Sequence, residues 1–179
     1  MGGTTADIAL IDLGAYDVNE RHEAIVNGPG RVSYENGLHS ILDYLQPADG
    51  PARAQHIFVA NLIPFNVDNS VYDLSNKPPA VDIINQSIAS VVGAHAGATL
   101  VDMYTGFDLE WASYDGIHPN ADGATFMAER WFDAMESEGV LSPIPEPSTY
   151  AAMLGGASLL VAFGRRVRQR RGGRLAPEV

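Results

Sequence analysis

Apolar positions along this chain follow two different periods. Three short runs, 8–13, 57–63 and 99–103, are apolar almost without interruption and partly β-branched, the pattern of strands covered on both faces in a parallel sheet. Between and after them, apolar residues recur every three or four positions. Tyr34, Leu38, Ile41, Leu42 and Leu45 share one helical face; so do Val81, Ile84, Ile88, Val91, Val92 and His95, and so do Ala124, Met127, Ala128, Trp131, Phe132 and Met135. The order β-α-β-α-β-α predicts right-handed crossovers and a layered α/β sandwich. In such sheets the working groups collect at the carboxyl ends of the strands, here the segments 14–17, 64–66 and 104–120. Gly28-Pro29-Gly30 breaks the chain before the first predicted helix, 46–51 ends that helix, and 76–79 opens the second.

Charge divides the chain in two. Up to Ser148 there are five Lys and Arg against 21 Asp and Glu, whereas the remainder holds six Arg against Glu178. An acidic body argues against nucleic-acid binding, which needs Lys and Arg gathered on one face. The absence of cysteine excludes a disulfide framework and a thiolate zinc site. The last residues run in a fixed order: Ile144-Pro145-Glu146-Pro147-Ser148-Thr149, an uncharged stretch over 150–164, then Arg165, Arg166, Arg168, Arg170, Arg171 and Arg174. At about 1.5 Å per residue, a helix over 150–164 falls short of the roughly 30 Å hydrocarbon core, marginal for a permanent anchor. The arginines would stay at the cytoplasmic headgroups and leave the acidic body across the bilayer. This tail resembles the PEP-CTERM sorting signal of Gram-negative bacteria, with Pro145, Glu146 and Pro147 as its motif. The resemblance implies an exosortase-type processing enzyme as partner, transient membrane anchoring, and a body at the cell surface or secreted. Export requires a signal peptide, yet residues 1–7 have neither a basic n-region nor an apolar h-region. The printed chain is therefore expected to lack its true beginning.

The sharpest chemical feature is Asp115-Gly116-Ile117-His118-Pro119-Asn120, just ahead of the last predicted helix. Two intervening residues let a turn bring the Asp115 carboxylate to one imidazole nitrogen of His118, leaving the other free as a general base. An equally good reading makes Asp-Gly a turn and Asn120 or Asp122 a helix cap. Phe107, Trp111 and Tyr114 either line a pocket beside these residues or pack the loop. His22, His39, His56 and His95 lack metal-ligand spacing, and Glu20, Glu23, Asp68 and Asp73 form no calcium loop. No cofactor is implied.

The Asp115-x-x-His118 run before a carboxy-terminal amphipathic helix resembles the last block of the SGNH or GDSL hydrolases, esterases and lipases of flavodoxin-like fold. Other blocks follow in order. Residues 7–17, ending in Gly14-Ala15-Tyr16-Asp17, resemble that family's strand and Gly-x-Asn-Asp block. Residues 57–64 resemble its next strand, Asn85 and its surroundings the helix after it, and Leu100-Val101-Asp102-Met103 the strand leading to the catalytic loop. The resemblance covers roughly residues 6 to 138. It implies a three-layer sandwich on a parallel sheet of order 2-1-3-4-5 with its first two strands missing, so that the strand at 8–13 becomes an exposed edge prone to aggregation.

It also implies roles for individual residues. His118 would be the base, Asp115 its orienting acid and Gly14 the tight turn. Tyr16 stands where the family has an oxyanion asparagine, and a packing role beside the cleft is the favoured reading for it. The nucleophilic serine of the Gly-Asp-Ser block would lie upstream, since no serine here follows Gly-Asp. Ser113 lacks the strand-to-helix turn that presents such a nucleophile. The expected organisation is a partial hydrolase domain at 1–141, a proline-rich linker at 142–149, a sorting helix at 150–164 and a basic cytoplasmic end at 165–179. The expected activity is hydrolysis of a small ester or an acylated glycan or lipid. The alternative is a non-catalytic surface or matrix protein that keeps the fold, or an inactive gene fragment.

Overall fold

A computed structural model describes residues 5–68, 71–112 and 115–141. The expectations for Ser113, Tyr114 and the segments 142–149, 150–164 and 165–179 lie outside these residues. The elements run β1 (Ala6–Ile11), α1 (Ala15–Val26), α2 (Pro29–Leu45), β2 (Ala54–Ala60), α3 (Pro78–Gly93), β3 (Ala98–Val101), a 3-10 turn (Leu109–Trp111) and α4 (Ala121–Ser137). The three strands form one parallel sheet in the order β1-β2-β3. Parallel neighbours need crossovers, which α2 and α3 supply.

The sheet has two apolar faces, as the unbroken runs require. On one, Ile11, Ile57 and Val59 meet Leu38 and Leu42 of α2 and Val81, Ile84, Ile88, Val91 and Val92 of α3. On the other, Phe58, Ala60 and Val101 meet half-buried Phe126, Met127, Trp131, Ala134 and Met135 of α4. The three layers are therefore helices, sheet and one helix. Each fully buried aliphatic side chain contributes about 1.5–3 kcal/mol by leaving water. Since α4 packs on β3, the edge strand β1 keeps Leu10 51% exposed. Such an edge is a template for association. Among the described residues no helix is long and apolar enough to cross a membrane.

Three sequence expectations need correction. Each strand ends two or three residues before its apolar run does; after β2 and β3 the chain leaves the ladder while still entering the core, whereas Leu13 after β1 is exposed. Leu62 and Ile63 are buried without being strand. The Asn85 amide replaces the ladder for Leu62, accepting from its N–H at 2.8 Å and donating to its carbonyl at 3.1 Å. Second, α1 was not expected at all. It buries only Val18 and Ile25, and it is interrupted at Arg21 (φ −128°, ψ 18°), so no continuous apolar stripe announces it. Third, α4 is rotated from its predicted face: Phe132 is 53% exposed and Ala124 and Ala128 point outward, while Gly123 is its one buried residue. His95 likewise falls just beyond α3, bonding the Val91 carbonyl and packing 5.1 Å from the His39 ring.

Candidate active site

The carboxyl end of β3 is pinned before its loop begins. Asn61, just past β2, donates its amide to Asp102 Oδ1 at 3.0 Å and accepts from the Met103 N–H at 2.6 Å. The same Asp102 oxygen accepts from the N–H groups of Tyr104 and Thr105. Partial burial pushes the Asp102 carboxyl up, but the bonds from Thr105, Asn61 and Tyr104 outweigh it and hold it down at about 2. A carboxyl lowered in the folded state contributes stability above its ordinary value of 3.8 and loses it as pH falls toward 2. Replacing Asp102 with asparagine is thus expected to lower the melting temperature by a few degrees at pH 7. The gap to the parent should narrow between pH 4 and pH 2 in thermal melts.

Beyond this brace the loop folds back on α4. Phe107 and Trp111 meet edge-on at 5.7 Å, and both contact the Phe126 ring. These aromatics pack the loop against α4. Asp108 caps the 3-10 turn through the Glu110 N–H. Gly123 lets the turn and helix close up: a Cβ there would stand 2.8 Å from the Trp111 carbonyl oxygen and 3.1 Å from the Phe107 ring. The loop's mouth is closed where the Asn120 N–H donates to the Trp111 carbonyl at 2.7 Å, in a bridge between Ala112 and Pro119.

Within that loop, both readings of the Asp115-to-Asn120 motif are filled, by different residues. Asn120 is the cap: its Oδ1 accepts from the N–H groups of Asp122 and Gly123 at 3.0 Å, while its Nδ2 donates to the Glu110 carbonyl. Asp115 and His118 form the pair. Asp115 Oδ1 accepts from the backbone N–H groups of Ile117 (3.0 Å) and His118 (2.9 Å), and Oδ2 lies 2.7 Å from His118 Nδ1. A carboxylate oxygen only accepts, so the proton belongs on Nδ1 and Nε2 keeps its lone pair. The Asp115 side chain is 14% exposed and the His118 side chain 77%. The carboxylate is sheltered, and the ring is open to a reactant.

Gly14 and Tyr16 lie elsewhere on the carboxyl edge. Gly14 has φ 123°, and a Cβ on it would press on Ile84 at 3.1 Å and on the Tyr34 ring at 3.2 Å, so the turn into α1 requires glycine. Tyr34 donates to the Leu13 carbonyl at 2.9 Å. Burial, then the charges of Asp17 and Asp12, push its phenol well above its ordinary value. Burial likewise raises the Asp12 carboxyl. Tyr16 sits in the first turn of α1 and is 74% exposed, so it is not the packing aromatic favoured from the sequence. With Leu13, Asp17, Arg21 and Tyr34 it borders a groove of about 330 Å³ whose lining includes neither Asp115 nor His118.

Sequence reasoning missed the asparagines that hold this edge together: Asn61, Asn66, Asn85 as a backbone clamp, and Asn120 as more than a cap. Position gives a signal for two of them, Asn61 just past β2 and Asn120 at the start of α4, and none for Asn85 in the middle of α3 or Asn66 in the segment after β2. Among the described residues no group of three His, Cys, Asp or Glu side chains is placed to hold a metal.

No family model matches the chain. A multidomain esterase from Ruminococcus flavefaciens is 28% identical over 135 residues, which are 73% of this chain but 16% of that protein. Among solved structures, one described as a GDSL-like lipase from Parabacteroides merdae matches at 24% identity and TM-score 0.55, covering 73% of this chain and 60% of its own. An alpha/beta hydrolase enzyme from the metagenome of Lake Arreo, Spain, matches at 18% identity and TM-score 0.53, with the same coverage of 73% and 60%. An acetyl xylan esterase from Geobacillus stearothermophilus matches at 14% and 0.52, covering 72% and 59%. The chain thus spans about three-fifths of these solved chains and about one-sixth of the curated relative. The likeness shows the fold: the described residues adopt the α/β arrangement of GDSL-type hydrolases.

Proposed function

We propose that this chain carries the base and acid of an ester-hydrolysing site, with His118 as general base and Asp115 as the carboxylate that orients it. One observation carries the reading. A sheltered carboxylate, locked by two backbone N–H groups, holds the Nδ1 side of an exposed imidazole at 2.7 Å. In the proposed reaction the nucleophile is a serine of the Gly-Asp-Ser block that the family resemblance implies. Its Oγ bonds to the ester carbonyl carbon as His118 Nε2 takes the hydroxyl proton. The C–O bond to the leaving alcohol then breaks, and Nε2–H returns the proton to that alcohol. Water repeats the sequence on the acyl-enzyme, releasing the acid and the serine. Asp115 stabilises the imidazolium throughout.

The esterases among the relatives support an ester of small acyl groups, on a glycan, a lipid or an aryl alcohol, as substrate. The charge contrast between body and tail supports export, with Pro145, Glu146 and Pro147 as the sorting motif read by an exosortase-type enzyme and 150–164 as a transient anchor. A second reading, a non-catalytic surface protein on the same fold, is favoured by Tyr16 standing where an oxyanion amide is expected. Its phenol reaches further than an amide and donates a single hydrogen bond. The test is p-nitrophenyl acetate turnover by the protein translated from its complete reading frame and by its His118→Ala variant. Turnover lost with His118 supports the enzyme; no turnover above buffer in the parent supports the second reading.

A further inference from the structure

We propose that Asn66 is the positioning residue that sets the Asp115–His118 geometry. The inference rests on the esterase reading above and adds to it the group that holds the dyad loop against the sheet. Asn66 is a polar residue buried to 3% exposure, on the segment that leaves β2. That segment is anchored on both sides of Leu62 by the Asn85 amide and by Phe65, which is buried in the main core.

From this fixed base Asn66 reaches two points of the dyad loop. Its side-chain Nδ2 donates to the Leu109 carbonyl at 2.8 Å, at the start of the 3-10 turn. Its backbone N–H donates to the Gly116 carbonyl at 2.9 Å, one residue past Asp115. The amide oxygen accepts from the Asp68 N–H at 3.2 Å, so both ends of the side chain are engaged and its orientation is fixed.

The consequence for the dyad is geometric. The mouth of the loop is held by the Ala112–Pro119 bridge and by Asn120, but its tip, where Asp115 sits, is fastened to the strand system through Asn66. A carboxylate placed three residues before its imidazole stays at 2.7 Å only if the turn between them keeps its shape, and the Gly116 carbonyl is part of that turn. With the Asn66 side chain removed, the Leu109 carbonyl loses its donor and the 3-10 turn is freed from the segment after β2, so the loop that carries Gly116 relaxes and Asp115 no longer holds the proton on Nδ1. Misplacement of about 1 Å at a reacting centre costs on the order of 10²-fold in rate.

The experiment reads the His118 tautomer directly, by two-bond ¹H–¹⁵N correlation spectra of the uniformly labelled protein at a pH where the ring is neutral. The parent is expected in the Nδ1–H form. Asn66→Ala and the isosteric Asn66→Asp, which loses the donor to Leu109, should both shift the ring toward Nε2–H. A core variant of comparable stability loss, Ile88→Val, should leave it unchanged. In the protein from the complete reading frame, Asn66→Asp should lower kcat for p-nitrophenyl acetate on the order of 10²-fold with KM nearly constant. Should Asn66→Ala fail to fold, Asn66→Asp carries the same reading. Asn66 variants that keep Nδ1–H and the parent kcat overturn the proposal, and so does an equal tautomer change in Ile88→Val. A parent ring already in the Nε2–H form overturns the dyad reading itself, a result distinct from either.

Discussion

Replacing His118 with alanine is expected to lower kcat for ester hydrolysis by about 10⁴-fold or more, leaving KM within a few-fold. The magnitude follows from what the ring does. Without Nε2 there is no group to take the serine proton as the carbonyl is attacked, and none to return a proton to the departing alcohol. Binding contacts made equally in ground and transition states persist, so KM is spared. Asp115→Asn should approach the same loss by a different route. An amide donor facing Nδ1 favours the tautomer with its proton on Nε2, the nitrogen that must be bare. The two variants together separate the ring's presence from its orientation. Steady-state kinetics with p-nitrophenyl acetate on the protein from its complete reading frame provides the check.

The largest expected effect on stability is that of Phe58→Ala, about 3–5 kcal/mol against a typical total of about 5–15. Phe58 is 1% exposed, on the central strand, and faces α4. That helix buries only Gly123 completely, so its attachment depends on half-buried side chains closing over the strand residues beneath. Deleting the phenyl ring leaves a cavity where the sheet meets its thinner layer, and α4 also provides the Asn120 cap that closes the dyad loop. Urea unfolding should show a lower midpoint with the slope nearly unchanged. A loss below about 1 kcal/mol would mean that the sheet's second face is not covered as described.

Which parts of this architecture were legible in the sequence follows from the range of the forces involved. The strand at 57–63 could be read because burial on both faces leaves a continuous apolar run, and those at 8–13 and 99–103 because they keep such runs at the sheet's edges, where Leu10 and Leu100 are exposed. Their carboxyl ends could not be read, since Leu62 and Ile63 are buried by a different device, the Asn85 amide on α3. The helix α1 left no stripe, because it rests on α2 and α3 through Val18 and Ile25 and is broken at Arg21. The inward face of α4 was misjudged at Phe132 because it packs on β3 rather than across a wide sheet. The contact between Asp115 and His118 is local, three residues apart in one turn, so spacing alone suggests it. The braces formed by Asn61 to Asp102 and by Asn66 to Leu109 and Gly116 join residues some forty or more positions apart. No period in the sequence records them. Tyr16, read from the sequence as packing, is exposed because α1 carries it out over the groove beside α2.

The central claim is that His118, oriented by Asp115, serves as the base that activates a serine for attack on esters. Intact-mass measurement after exposure of the complete gene product to a fluorophosphonate tests it most directly, because that reagent phosphonylates serines that an adjacent base has activated. The account expects one adduct per molecule on a serine, and its loss in His118→Ala and Asp115→Asn proteins that remain folded. An adduct that forms equally well without His118, or no adduct on the parent protein, would contradict it.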